Sequence, residues 1–124
     1  MLKEKKIGAP IFMDVEFRDH WEGFFKVHSW LAGPQDSYLG YSKRGGGALS
    51  EHSHATNLWQ HFAHLMGWGK INGVFALMRM NNENGTDYDC VSALNFTTEK
   101  GGFGRAIQDV ITKPVRKWAR IQGS

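Results

Sequence analysis

The chain has 124 residues, of which 41% are hydrophobic and 22% are charged, and its formal net charge is +3 at pH 7. This length suits one domain, so we expect residues 1–124 to form a single compact α+β domain. The single cysteine, Cys90, excludes a disulfide framework and a cysteine-rich metal site. The apolar stretches are short, so the sequence predicts no signal peptide and no transmembrane helix, and we expect a cytoplasmic protein.

The first half of the chain shows two kinds of apolar periodicity. Alternation over residues 11–17, preceded by Pro10, predicts a half-buried strand. Helical spacing of aromatic residues then predicts a helix over 20–32, which the pair Gly33-Pro34 ends. Residues 38–41 are expected to form a short strand.

In the second half, Ser50 is a candidate N-cap for a helix over 51–66. Residues 74–80 and 87–96 are predicted to form a hairpin, because the turn between them contains an Asn-Gly pair. A last helix is predicted from about residue 104, with a kink or restart at Pro114. The predicted order β-α-β-α-β-β-α indicates a mixed, mostly antiparallel sheet of about four strands with about three helices on one face.

Two glycine-rich basic loops, at 42–47 and 100–105, are each expected to open onto a helix. Helix N-terminal amides carry partial positive charge, and glycines let the backbone approach a phosphate closely. Neither loop has the spacing of a nucleotide-hydrolase phosphate loop. The last segment is also basic, because residues 100–124 carry six basic residues and only one acidic residue, Asp109. The candidate phosphate-binding residues are Lys43, Arg44, Lys100, Arg105, Lys113, Arg116, Lys117 and Arg120.

These features lead to the first hypothesis, a non-enzymatic DNA- or RNA-binding protein without a cofactor. Its affinity would come mainly from neutralising phosphates, so its sequence specificity would be low. The second hypothesis is a small interaction module or inhibitor that docks on a larger protein. An acidic segment at 81–99 and the aromatic residues would form its docking surface, with Glu83, Asp87 and Asp89 as the partner-binding residues. No membrane partner is expected.

A third hypothesis is a metal-dependent hydrolase. On an ideal helix His54, His61 and His64 share one ridge, whereas His52 lies on the other side. Paired carboxylates in two predicted strands are a second possible metal site if those strands are neighbours: Asp14 with Glu16, and Asp87 with Asp89. Alternating acids are usually the wet face of a strand, so we assign no metal ligands and no catalytic residues. Cys90 is expected to be a buried small hydrophobe.

Overall fold

The structure is a computed structural model that describes residues 7–124. Five strands form one sheet, and three helices accompany it. The bounds are β1 (Pro10–His20), α1 (Glu22–Val27), α2 (Gly47–Glu51), α3 (His54–Leu65), β2 (Ile71–Asn81), β3 (Tyr88–Thr98), β4 (Phe103–Asp109) and β5 (Ile111–Gly123). Among the residues that the structure describes, no helix is long and apolar enough to cross a membrane.

The strand order in the sheet is β2-β3-β4-β1-β5. Strand β1 is internal: it runs parallel to β4 and antiparallel to β5. Its alternation sends Met13 and Val15, both fully buried, toward the helices. Asp14 and Glu16 point the opposite way, as successive side chains of a strand must.

The main core lies between the sheet and α3. Trp59 of α3 is fully buried, and its indole N–H donates to the Met13 carbonyl over 3.2 Å. This hydrogen bond satisfies the only polar atom of a large apolar side chain, so α3 is anchored directly on β1. The other buried residues of this core are Met13, Val15, Ala55, Ala63, Trp68, Leu94, Phe96 and Ala106.

A second, smaller core lies under the turns between α1 and α2. Trp21 packs against Tyr88 there, with ring centroids 5.3 Å apart, and Leu39 and Cys90 are buried beside them. The expectation of a buried Cys90 is confirmed, and its Sγ contacts the Arg79 carbonyl at 3.3 Å.

The opposite side of the sheet, called here the open face, combines exposed apolar residues with ion pairs. Phe75, Leu77 and Phe103 are each about half exposed or more on this face. Arg105 pairs with Asp14 at its centre, and Arg116 approaches Glu16 at 3.6 Å. Both carboxylates are buried although they lie on the open face, because these arginine side chains lie over them.

The expected mixed α+β class with helices is confirmed, but the sheet has five strands rather than four. The predicted last helix is wrong: residues 103–109 and 111–123 form β4 and β5. Pro114 fits there because β5 is an edge strand paired only with β1, where a missing N–H is tolerated.

Three further boundaries differ. The predicted helix over 20–32 is limited to Glu22–Val27, and residues 38–40 form a 3₁₀ turn instead of a strand. The helix predicted over 51–66 is two helices, because the chain turns at His52 and Ser53 between α2 and α3. The predicted hairpin is confirmed as β2 and β3, and Asn84 and Gly85 both adopt positive φ in its turn.

Candidate functional site: a cleft where β1 ends

A cleft of about 400 Å³ opens where β1 ends and α2 gives way to α3. The strand supplies polar side chains, the following segment supplies aromatic ones, and the α2–α3 junction closes the other side. The lining residues are Asp19, His20, Trp21, Gly23, Phe24, Leu39, Glu51 and His52.

A carboxylate and an ammonium group meet beside this cleft. Lys117 of β5 lies 3.0 Å from Asp19, and the His20 backbone N–H donates to the same carboxylate over 2.7 Å. Burial alone would raise the pKa of Asp19, but these two hydrogen bonds and the Lys117 charge outweigh it, so the pKa is lowered. Asp19 is therefore ionised at neutral pH.

His52 lies at the end of α2 and faces Trp21. The Trp21 indole N–H donates to His52 Nε2 over 3.2 Å. Burial lowers the pKa of His52, helped by the nearby His54 and Lys117 and opposed by Asp19 and Glu51. A neutral ring is thus favoured at pH 7, which suits a nitrogen that accepts a hydrogen bond.

His54 is the second imidazole of the site and the first residue of α3. Its ring lies 6.3 Å from the His52 ring and 5.8 Å from the ring of Phe17 on β1. The side chain is exposed, and within residues 7–124 no hydrogen bond engages its nitrogens.

The cluster thus contains a carboxylate, an ammonium group and two imidazoles, next to the aromatic rings of Trp21 and Phe24. A ligand with several hydroxyl groups needs partners that donate hydrogen bonds and partners that accept them, and this cluster contains both. The aromatic rings can cover the apolar C–H faces of such a ligand. A neutral imidazole near pH 7 can also take a proton from a hydroxyl group.

The predicted phosphate-binding residues do not form one surface. Arg105, Arg116 and Arg120 follow the open face, whereas Lys117 points to the helix side with Asp19. Lys43 and Arg44 lie in a 3₁₀ turn, and Arg44 stacks 4.2 Å from the Tyr41 ring centroid. Lys100 lies in the β3–β4 turn, and Lys113 pairs with Glu22.

The two glycine-rich loops also differ from the expectation that each opens a helix. The first leads into α2, which has only five residues, and the second is the β3–β4 turn. The second loop does not open a helix because the residues after 102 form a strand that pairs with β1 and β3.

The predicted acidic surface is smaller than its three residues suggested. Glu83 and Asp87 are exposed, but Asp89 is buried and accepts a hydrogen bond from the Leu49 backbone N–H at 2.7 Å. Asp14 and Glu16 do not approach Asp87 and Asp89, because β4 separates β1 from β3. Within residues 7–124, no group of three or more His, Cys, Asp or Glu side chains is arranged to hold a metal ion.

Sequence reasoning missed the main contacts of the cleft. Asp19 was not among the candidate residues, and Lys117 was assigned to the predicted last helix. His52 was set apart from His54 because one continuous helix was assumed, whereas the turn between α2 and α3 brings their rings together. The signal in the sequence was the density of polar and aromatic residues at 17–21 and 51–54.

No protein-family model and no curated protein matches the sequence. Solved structures do match the fold. An inositol dehydrogenase homolog from Azotobacter vinelandii, complexed with NAD⁺, superposes with a TM-score of 0.66 at 12% identity, over 100% of this chain and 32% of that one. Levoglucosan dehydrogenase, in complex with NADH and levoglucosan, superposes with a TM-score of 0.67 at 16% identity, over 98% of this chain and 32% of that one.

The WlbA dehydrogenase from Bordetella pertussis, in complex with NADH and UDP-GlcNAcA, gives a TM-score of 0.61 at 16% identity, over 99% of this chain and 35% of that chain. The chain therefore spans about a third of the length of the dehydrogenases it resembles. At these identities the likeness establishes the fold, which is that of a domain found in NAD-binding oxidoreductases.

The dinucleotide of those enzymes has no matching cradle in residues 7–124. A dinucleotide fold needs a parallel βαβ unit whose glycine-rich turn leaves room for the pyrophosphate. Here β1 and β4 are the parallel pair of strands, and most of the chain, including β2 and β3, lies between them, so they do not form a βαβ unit. In the first glycine-rich loop, the Leu39 carbonyl occupies the position that a Cβ on Gly46 would take, and the Asp89 carboxylate occupies that of a Cβ on Gly47. These two glycines therefore make room for the protein's own groups and not for a pyrophosphate.

These findings correct the functional hypotheses. The interpretation as a non-enzymatic nucleic-acid-binding protein or an inhibitor is wrong, because the fold matches NAD-binding dehydrogenases. The structural basis of that interpretation also fails, since the basic C-terminal helix is the strand β5 and most of its cations have carboxylate partners.

Proposed function

We propose that this chain is the polyol- or sugar-binding domain of an oxidoreductase, with its ligand in the cleft where β1 ends. The observation that carries the proposal is the cluster of Asp19, Lys117, His52 and His54 beside the aromatic wall of that cleft. The neighbours support it, since they include dehydrogenases solved with levoglucosan, myo-inositol or UDP-GlcNAcA, all polyhydroxylated.

Asp19 lines the cleft, Lys117 and His54 lie beside it, and each has a distinct task. The Asp19 carboxylate accepts hydrogen bonds from ligand hydroxyls, and Lys117 keeps it ionised and oriented. His54, whose ring is exposed, is the group that takes a proton from a ligand hydroxyl. A dinucleotide would supply the hydride chemistry, and residues 7–124 contain no parallel βαβ unit with a glycine-rich turn to cradle it.

The proposal is tested by NMR titration of the full chain with levoglucosan and with myo-inositol. We expect millimolar binding, which is weak enough to require NMR, with shifts at the Trp21 indole and at His52 and His54. His54→Ala should weaken the binding, whereas His61→Ala should not, because His61 is an exposed residue of the same helix away from the cleft.

A second cavity provides the competing outcome. A groove at the other end of α3 is lined by His64, Lys70, Glu99 and Lys100, among others. Polyol-induced shifts confined to this groove, or no shifts at millimolar concentrations, would contradict the proposal.

A further inference from the structure

The hydrogen bond between Trp21 and His52 has a definite direction. The indole Nε1–H can only donate, so His52 Nε2, 3.2 Å away, is the accepting nitrogen and carries no proton. In a neutral imidazole the proton then resides on Nδ1. Within residues 7–124 no hydrogen bond to another residue engages Nδ1, and it is not among the buried unpaired atoms, so solvent reaches it. His52 itself lines the cleft.

Trp21 is held firmly enough to impose this direction. Its side chain is only 7% exposed and packs against Tyr88 and, edge to face, against Phe25. Its backbone N–H donates to the Val110 carbonyl over 3.1 Å, and its own carbonyl accepts from the Phe25 N–H over 3.0 Å. The indole therefore presents its N–H at a fixed position.

The charged and titratable groups around His52 come from four elements and act in opposite directions on its pKa. Asp19 of β1 and Glu51 of α2 favour the protonated ring, whereas Lys117 of β5 and His54 of α3 oppose it. Burial adds to the opposition, and the pKa falls below its ordinary 6.5. A protonated Nε2 would face the indole N–H donor to donor, so protonation also breaks the Trp21 hydrogen bond.

We propose that Trp21 is a positioning residue that fixes His52 as a hydrogen-bond donor, through Nδ1–H, to an oxygen of the bound ligand. This rests on the proposed function of the cleft. The two imidazoles then have different tasks. His52 selects and orients a ligand oxygen, whereas His54 accepts the proton in the proposed function. The site therefore prefers a ligand with an acceptor oxygen next to the hydroxyl that loses its proton, as in a vicinal diol.

The first test needs no ligand. Long-range ¹H–¹⁵N NMR of histidine-labelled protein at pH 7.5 should show His52 protonated at Nδ1 and unprotonated at Nε2. Trp21→Phe keeps an aromatic ring but removes the donor, so the Nε2–H tautomer should appear. The pKa of His52 should rise by roughly half to one unit, a three- to tenfold change in its acid constant.

The same variant should bind levoglucosan several-fold more weakly, while the pH dependence of that binding shifts with the pKa of His52. Trp30→Phe is the matched control, because Trp30 is 75% exposed and should change neither measurement. A merely structural role for Trp21 would lower stability without moving the tautomer or the pH profile.

The inference is overturned if His52 of the unmodified chain carries its proton on Nε2 at pH 7.5, or if Trp21→Phe leaves tautomer and pKa unchanged. The first measurement decides even if the variant fails to fold. Levoglucosan binding in the cleft with an Nε2–H tautomer would overturn this inference alone. An Nδ1–H tautomer without polyol binding would overturn the ligand role together with the proposed function, leaving Trp21 only as the group that fixes the ring.

Discussion

Asp14 and Arg105 lie opposite each other on the parallel strands β1 and β4, and Arg105 Nε and Nη2 donate to the two carboxylate oxygens of Asp14 over 2.8 and 3.0 Å. The Asp14 side chain is 7% exposed and that of Arg105 is 44% exposed. The pair is therefore a buried anion covered by a half-exposed cation. The hydrogen bond that Arg105 donates to Asp14 is the largest cause that raises the pKa of Arg105.

Arg105→Ala should destabilise the fold, because it leaves the Asp14 carboxylate buried without its bidentate partner. We expect a loss of about 1–3 kcal/mol in the free energy of unfolding, below the usual cost of breaking a fully buried pair because Arg105 is half exposed. Urea denaturation measures it. Arg120→Ala is the control, since Arg120 faces Asp14 from β5 but is exposed, and should change stability by less than about 0.5 kcal/mol. Equal losses for the two variants would contradict this account.

Gly104 is required by the contact between β1 and α3. A Cβ there would overlap the Met13 carbonyl and lie 2.9 Å from Trp59 Nε1, which are the two partners of a core hydrogen bond. Gly104→Ala should therefore cost more than about 3 kcal/mol of stability in thermal or urea unfolding.

Gly23 offers the opposite case for comparison. It lies in α1, and a Cβ there would meet nothing within 4 Å. Gly23→Ala should stabilise the protein by about 0.5–1 kcal/mol, because alanine lowers the entropy of the unfolded chain. If both alanine variants had similar effects, steric overlap at Gly104 would not be the cause.

Stability should fall as the pH decreases below about 6.5, since two histidines resist protonation in the fold. Burial is the largest cause that lowers the pKa of His52, and also that of His20, where Lys113 adds to it. Between the ordinary pKa of 6.5 and the lower folded value, the unfolded chain binds more protons, so acid favours unfolding. Urea unfolding at pH 7.5 and 5.5 should show this decline.

His52→Gln should reduce that decline, because glutamine does not titrate in this range. His64→Gln is the matched control: His64 is exposed on α3, and its loss should leave the pH dependence unchanged. A decline that is the same in all three proteins would place its origin elsewhere.

Lys117→Met should make the Asp19 carboxylate easier to protonate. In the intact chain the pKa of Asp19 is lowered from its ordinary value of 3.8. This lowering contributes stability that is present above pH 3.8 and is lost as the pH falls through the pKa of the folded protein. Without Lys117, burial and the His20 N–H remain as the main influences on the pKa of Asp19. The contribution to stability therefore shrinks, by under about 1 kcal/mol because the Lys117 side chain is 46% exposed. Comparing urea unfolding at pH 7 and pH 3 measures it. Lys113→Met, which removes a surface pair with Glu22, should leave the carboxylate's titration in NMR unchanged.

Local patterns in the sequence were sufficient for β1 and for the hairpin of β2 and β3. The alternation over 11–17 and the Asn84-Gly85 turn are short-range signals that do not depend on the rest of the chain. They failed for β4, where Ala106 faces the helices and Ile107 the open face. Apolar residues on both sides of a strand remove its alternation and imitate a helix.

The candidate site could not be predicted for the same reason. Asp19 and Lys117 meet only because residues 111–123 form a strand beside β1, and the sequence pattern there indicated a helix. His52 and His54 become neighbours through a turn that a continuous helix over 51–66 would not contain. The residue types in the sequence therefore indicated which chemical groups were available. Which of those groups lie together in the fold depended on strand pairing and turns that local sequence patterns did not predict.

The position of β1 in the sheet also determines how the molecule can be assembled. Phe12 pairs with Phe103, and Met13 with Ile121, so both neighbours of β1 follow it at a large separation in sequence. On a ribosome β1 emerges before β4 and β5, and it cannot pair until both have been synthesised. Contacts between residues so distant in sequence slow folding. We therefore expect the hairpin of β2 and β3 to form first, and β1 to enter the sheet in a late step that closes the core around Trp59.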